Sequence, residues 1–427
     1  MDSSSVQRLL CLSNGHGEDA IAIRIVRALQ HCSSSTDIVA LPIVGKGDAY
    51  AHHNIPIVGP VKAMPSGGFI YMDGKQLARD VQGGLLSLTL TQLQFVRQWA
   101  NTGGSILAAG DIVPLLFGWA SGAPYAFVGT AKSEYYIRDE QRLLSRSSWF
   151  EQFESWSGSV YLPWERWLMQ HPRCKAAFPR DTLTAKILQQ WPISVFDVGN
   201  PMMDDLDLRH NADSPQLAQA VESATRTVVL LPGSRIPEAY ANWTLILRSV
   251  QSTVQQSSDR PLLFLSAIAP SLDVASLSAS LHQQNWQLTP DCETTENSTS
   301  LHTFTQGIHT LMLVQAGFTT CIHYADGAIA MAGTATEQFV GLGKPAFILP
   351  GKGPQFTPAF AEAQTRLLGP SVILVDDPNT MGACIDRVFN EPKQLQRIQS
   401  NGHRRMGKSG ASERIAQILL QQFGWER

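Results

Sequence analysis

Residues 328–366 read AIAMAGTATEQFVGLGKPAFILPGKGPQFTPAFAEAQTR. A short apolar run, Ala328 to Met331, turns at Gly333 and continues through Thr334, Thr336, Glu337, Gln338, Phe339, Val340 and Leu342. The pattern predicts a strand, a tight turn and a helix with its apolar residues at helical spacing. Lys344-Pro345 stops the helix, and Ala346 to Leu349 is a second buried strand ending in Pro350-Gly351. Small residues at the turn let a ligand approach the backbone, and the helix start aims free N–H groups and a positive dipole end at it. A phosphate suits that position. Thr334 and Thr336 add hydroxyl donors, and Glu337, one turn in, suits a sugar hydroxyl better than a phosphate. The mixture points to a sugar nucleotide, although the same residues also fit a plain helix cap in an αβ unit.

Working outward, Thr227 to Leu231 is a strand running into Pro232-Gly233-Ser234-Arg235, followed by Glu238 and a helix carrying Trp243, Leu245, Ile246 and Val250. Glycine, serine and arginine on one turn give backbone donors, a hydroxyl and a fixed cation, as a diphosphate needs. Pro261 to Ala267, Thr310 to Val314 and Val372 to Val375 read as further parallel strands. Strands alternate with helices in the first half too: Leu9 to Ser13, Asp37 to Val44, Ile55 to Val58, Ser105 to Ala109, Tyr125 to Val128 and segments near Ala176 and Val195. Two doubly wound α/β domains facing each other follow. Their expected bounds are 1–204 for the first domain, 205–226 for a polar linker, 227–395 for the second and 396–427 for a terminal helix crossing back to the first.

In the first half, Gly15-His16-Gly17-Glu18-Asp19-Ala20 resembles a dinucleotide turn, but two carboxylates at the helix start oppose a pyrophosphate. His16, Glu18 or Asp19 suits proton acceptance from a hydroxyl instead. Asp111, after the strand Ser105 to Ala109, lies where open α/β sheets bind ligands and is a second base candidate. The polar and aromatic loop 129–136 suits an acceptor head group. Met64 to Met72 is unusually apolar for a loop and fits either a lipid contact or a core segment. The Trp- and Arg-rich segment 138–173 reads as interface or lid packing.

Three motif matches fail on context. Gly402 to Ser409 satisfies G-x-x-x-x-G-K-S, but follows a polar helix-like stretch where a P-loop needs a strand. The D-x-D of Asp205 and Asp207 falls in the linker and reads as solvated charge. The N-x-S/T sequons at Asn242 and Asn297 read as chance matches.

The chain has 427 residues, 33 basic and 36 acidic, so nothing marks a nucleic-acid partner. Six scattered cysteines without a C-x-x-C pair fit a reducing compartment. No signal-peptide pattern and no span of ~20 apolar residues is present, which predicts a cytosolic protein, with contact at a membrane's inner face left open.

The motifs together resemble the lipid-A-disaccharide synthase-related family. Leu231-Pro232-Gly233-Ser234-Arg235 with Glu238 is similar to its LPGSR-x-x-E signature. Gly199-Asn200-Pro201 with Asp204 resembles VGHPL-x-D, with Asn200 in place of histidine, and Gly333 to Glu337 resembles SGTATLE, with Gln338 in place of leucine. Gly17-Glu18-Asp19 occupies the place of the GEASGD loop, and Asp111 the region of GIDAPDFN, where this chain reads GDIVPLL. The resemblance implies a GT-B fold: two Rossmann-like domains around a central cleft. It implies an inverting glycosyltransferase that moves a hexose or N-acetylhexosamine from a UDP-sugar to a lipid-linked or other hydroxyl acceptor, with no cofactor and no obligatory metal. The donor would be held by Gly233, Ser234, Arg235, Gly333, Thr334, Thr336, Glu337 and Gln355 or Gln364, and His16, Glu18 or Asp111 would take the acceptor proton. A UDP-sugar epimerase, a non-catalytic sugar-nucleotide-binding protein and a nicotinamide enzyme are the competing readings.

Overall fold

The computed structural model describes residues 7–33, 35–62, 85–144, 149–206, 215–289, 300–353 and 356–425. The Met64 to Met72 loop, Gln355, Asp207 and Asn297 lie outside the described residues. The chain divides into two compact units: Met1–Asp204 together with Gly407–Arg427, and Asp205–Met406.

Among the described residues the first unit is built on a sheet of five parallel strands: β1 (Gln7–Ser13), β2 (Thr36–Pro42), β3 (Ser105–Gly110), β4 (Tyr125–Gly129) and β5 (Cys174–Phe178). Their spatial order is β2-β1-β3-β4-β5. The helices joining them are α1 (His16–Cys32), α2 (Asp48–His52), α3 (Leu85–Ala100), α4 (Ile112–Ala120), α5 (Trp149–Ser157), α6 (Pro163–Gln170) and α7 (Thr182–Leu188). Leu9, Leu10, Cys11 and Leu12 are all fully buried. A continuous apolar run without alternation is what a strand covered on both faces requires. Each such leucine contributes ~1.5–3 kcal/mol by leaving water. The order reverses between β1 and β3, so the chain leaves these neighbours in opposite directions and their C-terminal ends open a crevice. Gly15 and Gly110, just past β1 and at the end of β3, have φ of 134° and 141°, which excludes most side chains.

Two expected strands shrink to single bridges. Ile57 bridges Ala40 and Val195 bridges Ala177, both at sheet edges. Prolines at 56 and 192 remove backbone donors beside each, which limits how far pairing extends. The loop 129–136 also differs from its reading: Ser133, Glu134 and Tyr135 are buried, and Glu134 accepts from Ser159 Oγ and the Val160 N–H. These buried groups tie α6's approach to the sheet, while Thr130 and Lys132 of the same loop stay half-buried.

The C-terminal helix, Ala411–Gln422, packs with α1 and completes this unit, burying Ile415, Ala416 and Leu419. Asp204 holds its start. Oδ1 accepts from the N–H groups of Gly410 at 2.6 Å and Ala411 at 3.0 Å, and Oδ2 from Ser412 at 2.7 Å. Arg414 reaches back to the Val198 carbonyl at 3.0 Å. Gly407 lies so close that a Cβ there would sit 3.1 Å from Gly199 Cα. The Gly199-Asn200-Pro201 segment with Asp204 is therefore a clasp for the chain's last helix. Asp204→Ala removes a three-bond cap and is expected to destabilise by ~2 kcal/mol, read as a lower denaturant midpoint; an unchanged midpoint would refute the clasp.

Among the described residues the second unit has eight strands, in the order β13-β12-β11-β6-β7-β10-β9-β8. They are β6 (Arg226–Leu231), β7 (Leu262–Ile268), β8 (Gln287–Leu288), β9 (Ser300–Gln306), β10 (His309–Gln315), β11 (Gly327–Ala330), β12 (Ala346–Ile348) and β13 (Val372–Leu374). The six from β13 to β10 are parallel, and β9 and β8 extend the sheet antiparallel. The hairpin β9–β10 turns on Gly307 at φ 60°; β9 mixes threonine, histidine and glutamine with two apolar residues, which hides its strand character in the sequence. The helices are α8 (Pro215–Ser223), α9 (Glu238–Gln256), α10 (Val274–Gln283), α11 (Phe318–Tyr324), α12 (Thr334–Gly341), α13 (Pro358–Leu368), α14 (Met381–Phe389) and α15 (Pro392–Met406). α8 lies inside the stretch whose polar composition reads as linker. Gly402 belongs to α15, where a Cβ would stand 2.1 Å from the Val340 carbonyl oxygen. That glycine permits close helix packing, so the G-x-x-x-x-G-K-S match is a packing and turn feature.

Candidate functional site

In the second unit the C-terminal ends of β6 and β11, adjacent parallel strands, deliver two loops side by side. Asn242 of α9 fastens them together: its Nδ2 donates to the carbonyls of Pro232 at 3.1 Å and Met331 at 3.3 Å. Gly233, at φ 94°, brings the first loop to where a Cβ would be 3.4 Å from the Met331 oxygen. Ser234 is exposed and Arg235 half-buried on this loop. The second loop leads into α12 through Gly333, which gives the helix no side-chain cap.

The predicted donor residues divide here. Gly233, Ser234, Arg235, Gly333 and Thr334 lie on the two fastened loops, with Thr334 exposed. Thr336 is fully buried, and its hydroxyl donates to the Ala332 carbonyl at 2.6 Å, so it builds the turn. Gln364 comes in from α13, its Nε2 reaching the Ala332 and Gly333 carbonyls at 3.3 and 3.5 Å. Glu337 is 8 % exposed in the first turn of α12. Glu238, the last residue of the LPGSR-x-x-E signature, serves another loop: Oε1 accepts from the Phe356 N–H at 2.6 Å. A Cβ on Gly353 would stand 2.2 Å from the same oxygen, so glycine is needed there. Asn242 was missed by sequence reasoning because its role rests on β6 and β11 being neighbours, which no local pattern encodes.

In the first unit, Asp111 sits at the opening between β1 and β3, where ligands bind in such sheets. Its Oδ1 caps α4 by accepting from the Val113 N–H at 2.8 Å, and its Oδ2 accepts from Asn14 Nδ2 at 3.1 Å. Burial pushes the Asp111 carboxyl above the usual range; the Val113 bond opposes this, the Glu165 charge adds to it, and Asn14 and Lys132 oppose it. Lys132 Nζ lies 2.7 Å from Glu165 Oε2 and 2.9 Å from the Val160 carbonyl. Asn14 is 3 % exposed, and its Oδ1 has no hydrogen-bond partner among the described residues.

Glu18 approaches the same point, with Cγ 3.5 Å from where a Cβ on Gly110 would be. Asp19 goes elsewhere: it is buried and accepts from Ser13 Oγ at 2.5 Å, and Ser13 in turn accepts from the Tyr50 hydroxyl at 2.7 Å. That network braces β1 and leaves Asp19 out of the proton-accepting set. His16 opens α1, and its side chain lies outside the description.

No family model matches this sequence, and no curated protein does. Solved structures match over nearly the whole chain. A UDP-N-acetylglucosamine 2-epimerase described as putative, from Listeria monocytogenes, aligns at 13 % identity and TM-score 0.57, covering 98 % of this chain and 97 % of its own. The UDP-GlcNAc 2-epimerase of Neisseria meningitidis, solved with UDP-GlcNAc bound, aligns at 13 % identity and TM-score 0.55, covering 97 % and 100 %. MurG of Acinetobacter baumannii aligns at 12 % identity and TM-score 0.54, covering 97 % and 99 %. The fold is GT-B. Both units are Rossmann-like α/β layers, as the resemblance implied, and the likeness extends to epimerases as readily as to MurG.

Proposed function

We propose that this chain is a UDP-sugar-dependent glycosyltransferase that moves a hexose or N-acetylhexosamine, with inversion, to the hydroxyl of a lipid-linked acceptor. The observation that carries the donor half is the pair of loops fastened by Asn242. Together they offer an arginine, an exposed serine and threonine and an uncapped helix start beside a buried glutamate. A diphosphate needs donors and positive charge, and a ribose or sugar needs carboxylate and amide acceptors. Arg235 and the start of α12 neutralise the departing UDP; Glu337 and Gln364 hold ribose and sugar hydroxyls. Asp111 is the favoured base, because it stands at the opening between β1 and β3 and burial raises its carboxyl above the ordinary carboxylate range, with Glu18 and His16 the alternatives. The Asp111 carboxylate takes the acceptor's proton as its oxygen bonds to the anomeric carbon and the bond to UDP breaks.

A UDP-sugar epimerase is the second reading, supported by the 2-epimerases among the similar structures. The two separate on one assay. A transferase leaves UDP-GlcNAc intact until an acceptor lipid is added and then releases UDP. An epimerase converts the sugar nucleotide alone, exchanging the C2 proton with solvent deuterium. UDP release that depends on added lipid is expected; conversion without lipid would replace the transferase reading.

A further inference from the structure

Asn14 and Asp111 follow the ends of two neighbouring strands. Ser13, the last residue of β1, pairs with Ala109 of β3, so the chain leaves the sheet at both places side by side. Gly110 makes the approach possible. A Cβ there would stand 3.5 Å from Asn14 Cβ and 3.1 Å from Pro114 Cγ, and its φ of 141° suits glycine. Asn14 and Asp111 are both buried. Among the described side chains, the charged groups set around them are Glu18 of α1, Glu165 of α6 and Lys132 from the loop after β4.

Asp111 has one oxygen to spare. Oδ1 is committed to the Val113 N–H at 2.8 Å as the cap of α4, so a proton taken up by this carboxyl goes to Oδ2. Oδ2 is the atom that meets Asn14 Nδ2, at 3.1 Å. An amide suits both states of such an atom, because it carries donors at one end and an acceptor at the other. The N–H end serves a carboxylate, and the carbonyl end serves a carboxylic acid. What permits the exchange is the far end of the same amide. Asn14 Oδ1 is buried with no hydrogen-bond partner among the described residues. A donor fixed on that oxygen would lock the amide with Nδ2 toward Asp111. Without one, the far end is unpaired in either orientation, and the proton on Asp111 decides which way the amide faces. A buried acceptor left unpaired costs ~1–3 kcal/mol, which packing alone gives no ground to sustain.

We propose that Asn14 is the positioning residue of Asp111 through both halves of the proton transfer. Its Nδ2 donates to the ionised carboxylate; once Oδ2 has taken the acceptor's proton, the side chain turns about Cβ–Cγ and its Oδ1 accepts from the new O–H. The proton passes from the acceptor hydroxyl to Asp111, and no covalent bond of Asn14 changes. The carboxyl thus keeps a hydrogen bond throughout, in a buried setting where an unpaired acid hydroxyl would oppose protonation. This role rests on the reading of Asp111 as the base, while its geometry is measured without substrate.

The test follows both side chains by nuclear magnetic resonance in the full chain, isotopically labelled at asparagine nitrogen and aspartate carbon and assigned with Asn14→Leu and Asp111→Asn. As pH falls, the Asn14 amide signals should move with the same midpoint as the Asp111 carboxyl carbon. Asn14→Leu should raise the Asp111 midpoint by about one pH unit, since the bond lost by the charged form is worth more than the one lost by the neutral form. Asn14→Asp should split the titration into two steps, because two carboxyls at hydrogen-bond distance resist ionising together. In turnover, Asn14→Leu should lower kcat by ~10-fold and leave KM for the sugar nucleotide unchanged, the donor loops lying in the second unit. Asn14 amide signals that stay still while Asp111 titrates would overturn the turning amide. A single, unshifted Asp111 midpoint in both Asn14 variants would overturn the positioning role. Coupled titration in a wild-type chain that transfers no sugar would uphold the pairing and count against the transfer reading alone.

Discussion

Asp111→Asn is expected to lower turnover by ~10²–10⁴-fold, the usual reach of a general base, while raising thermal stability at neutral pH. Both effects come from one arrangement. The carboxylate is buried, and desolvation lifts its pKa from an ordinary value near 3.8. Below that value Asp111 is protonated in folded and unfolded chains alike and contributes nothing. Between it and the raised folded value the unfolded chain gives up its proton first, so stability falls as pH rises, and the loss persists above. Asparagine removes the titration and the loss with it.

The substitution also keeps the local bonds. The new side-chain carbonyl can still accept from the Val113 N–H. Asn14 can turn its amide over so that Oδ1, now without a partner, accepts from the new amide nitrogen. Kinetics and thermal unfolding across pH check the prediction together. The wild-type rate should rise with pH along a limb above the ordinary carboxylate range, and that limb should vanish in the variant. Full activity in Asp111→Asn would move the base to Glu18.

Arg235→Ala should cut kcat/KM by ~10²–10³-fold, the loss typical for removing one strong donor to developing negative charge. The loop that carries Arg235 is held by Asn242 and by Gly233, neither of which the substitution touches. The fold should therefore survive and the loss be read as chemistry. Arg235→Lys should recover only part of it, since an ammonium lacks the planar fork that grips two phosphate oxygens. Thermal unfolding with UDP gives an independent reading: saturation at 100 times the dissociation constant stabilises by ~2.7 kcal/mol, and the gain should disappear in the alanine variant. Wild-type kinetics in Arg235→Ala would remove it from the site.

What could be read from residues alone follows how local each signal is. β6, β11 and α12 are visible because each is an unbroken apolar run or helical stripe ended by glycine or proline. Asp111 is visible because a carboxylate follows a strand directly. Thr336 looks like a ligand residue beside Thr334, yet one falls inside the turn and the other outside; helix phase at the first turn decides this, and two threonines in sequence do not reveal it. Asp19 and Glu18 are adjacent and equally acidic, but only the fold sets one on Ser13 and the other near Gly110. Asn242, Asn14 and the Asp204 clasp join residues far apart in the chain, and such pairings have no local signature.

The clasp also orders the birth of the molecule. The second unit's residues are synthesised between the two pieces of the first, so during translation α1, which ends at Cys32, waits about 380 residues for the helix that covers it, which starts at Ala411. Until residues 411–422 leave the ribosome, Asp204 has no amides to bind and the sheet of the first unit lacks one of its covering helices. A nascent chain of this protein thus carries an open apolar seam until residues 411–422 have emerged, and a chain cut short before Ala411 would carry it permanently. Holdase chaperones bind seams of that kind.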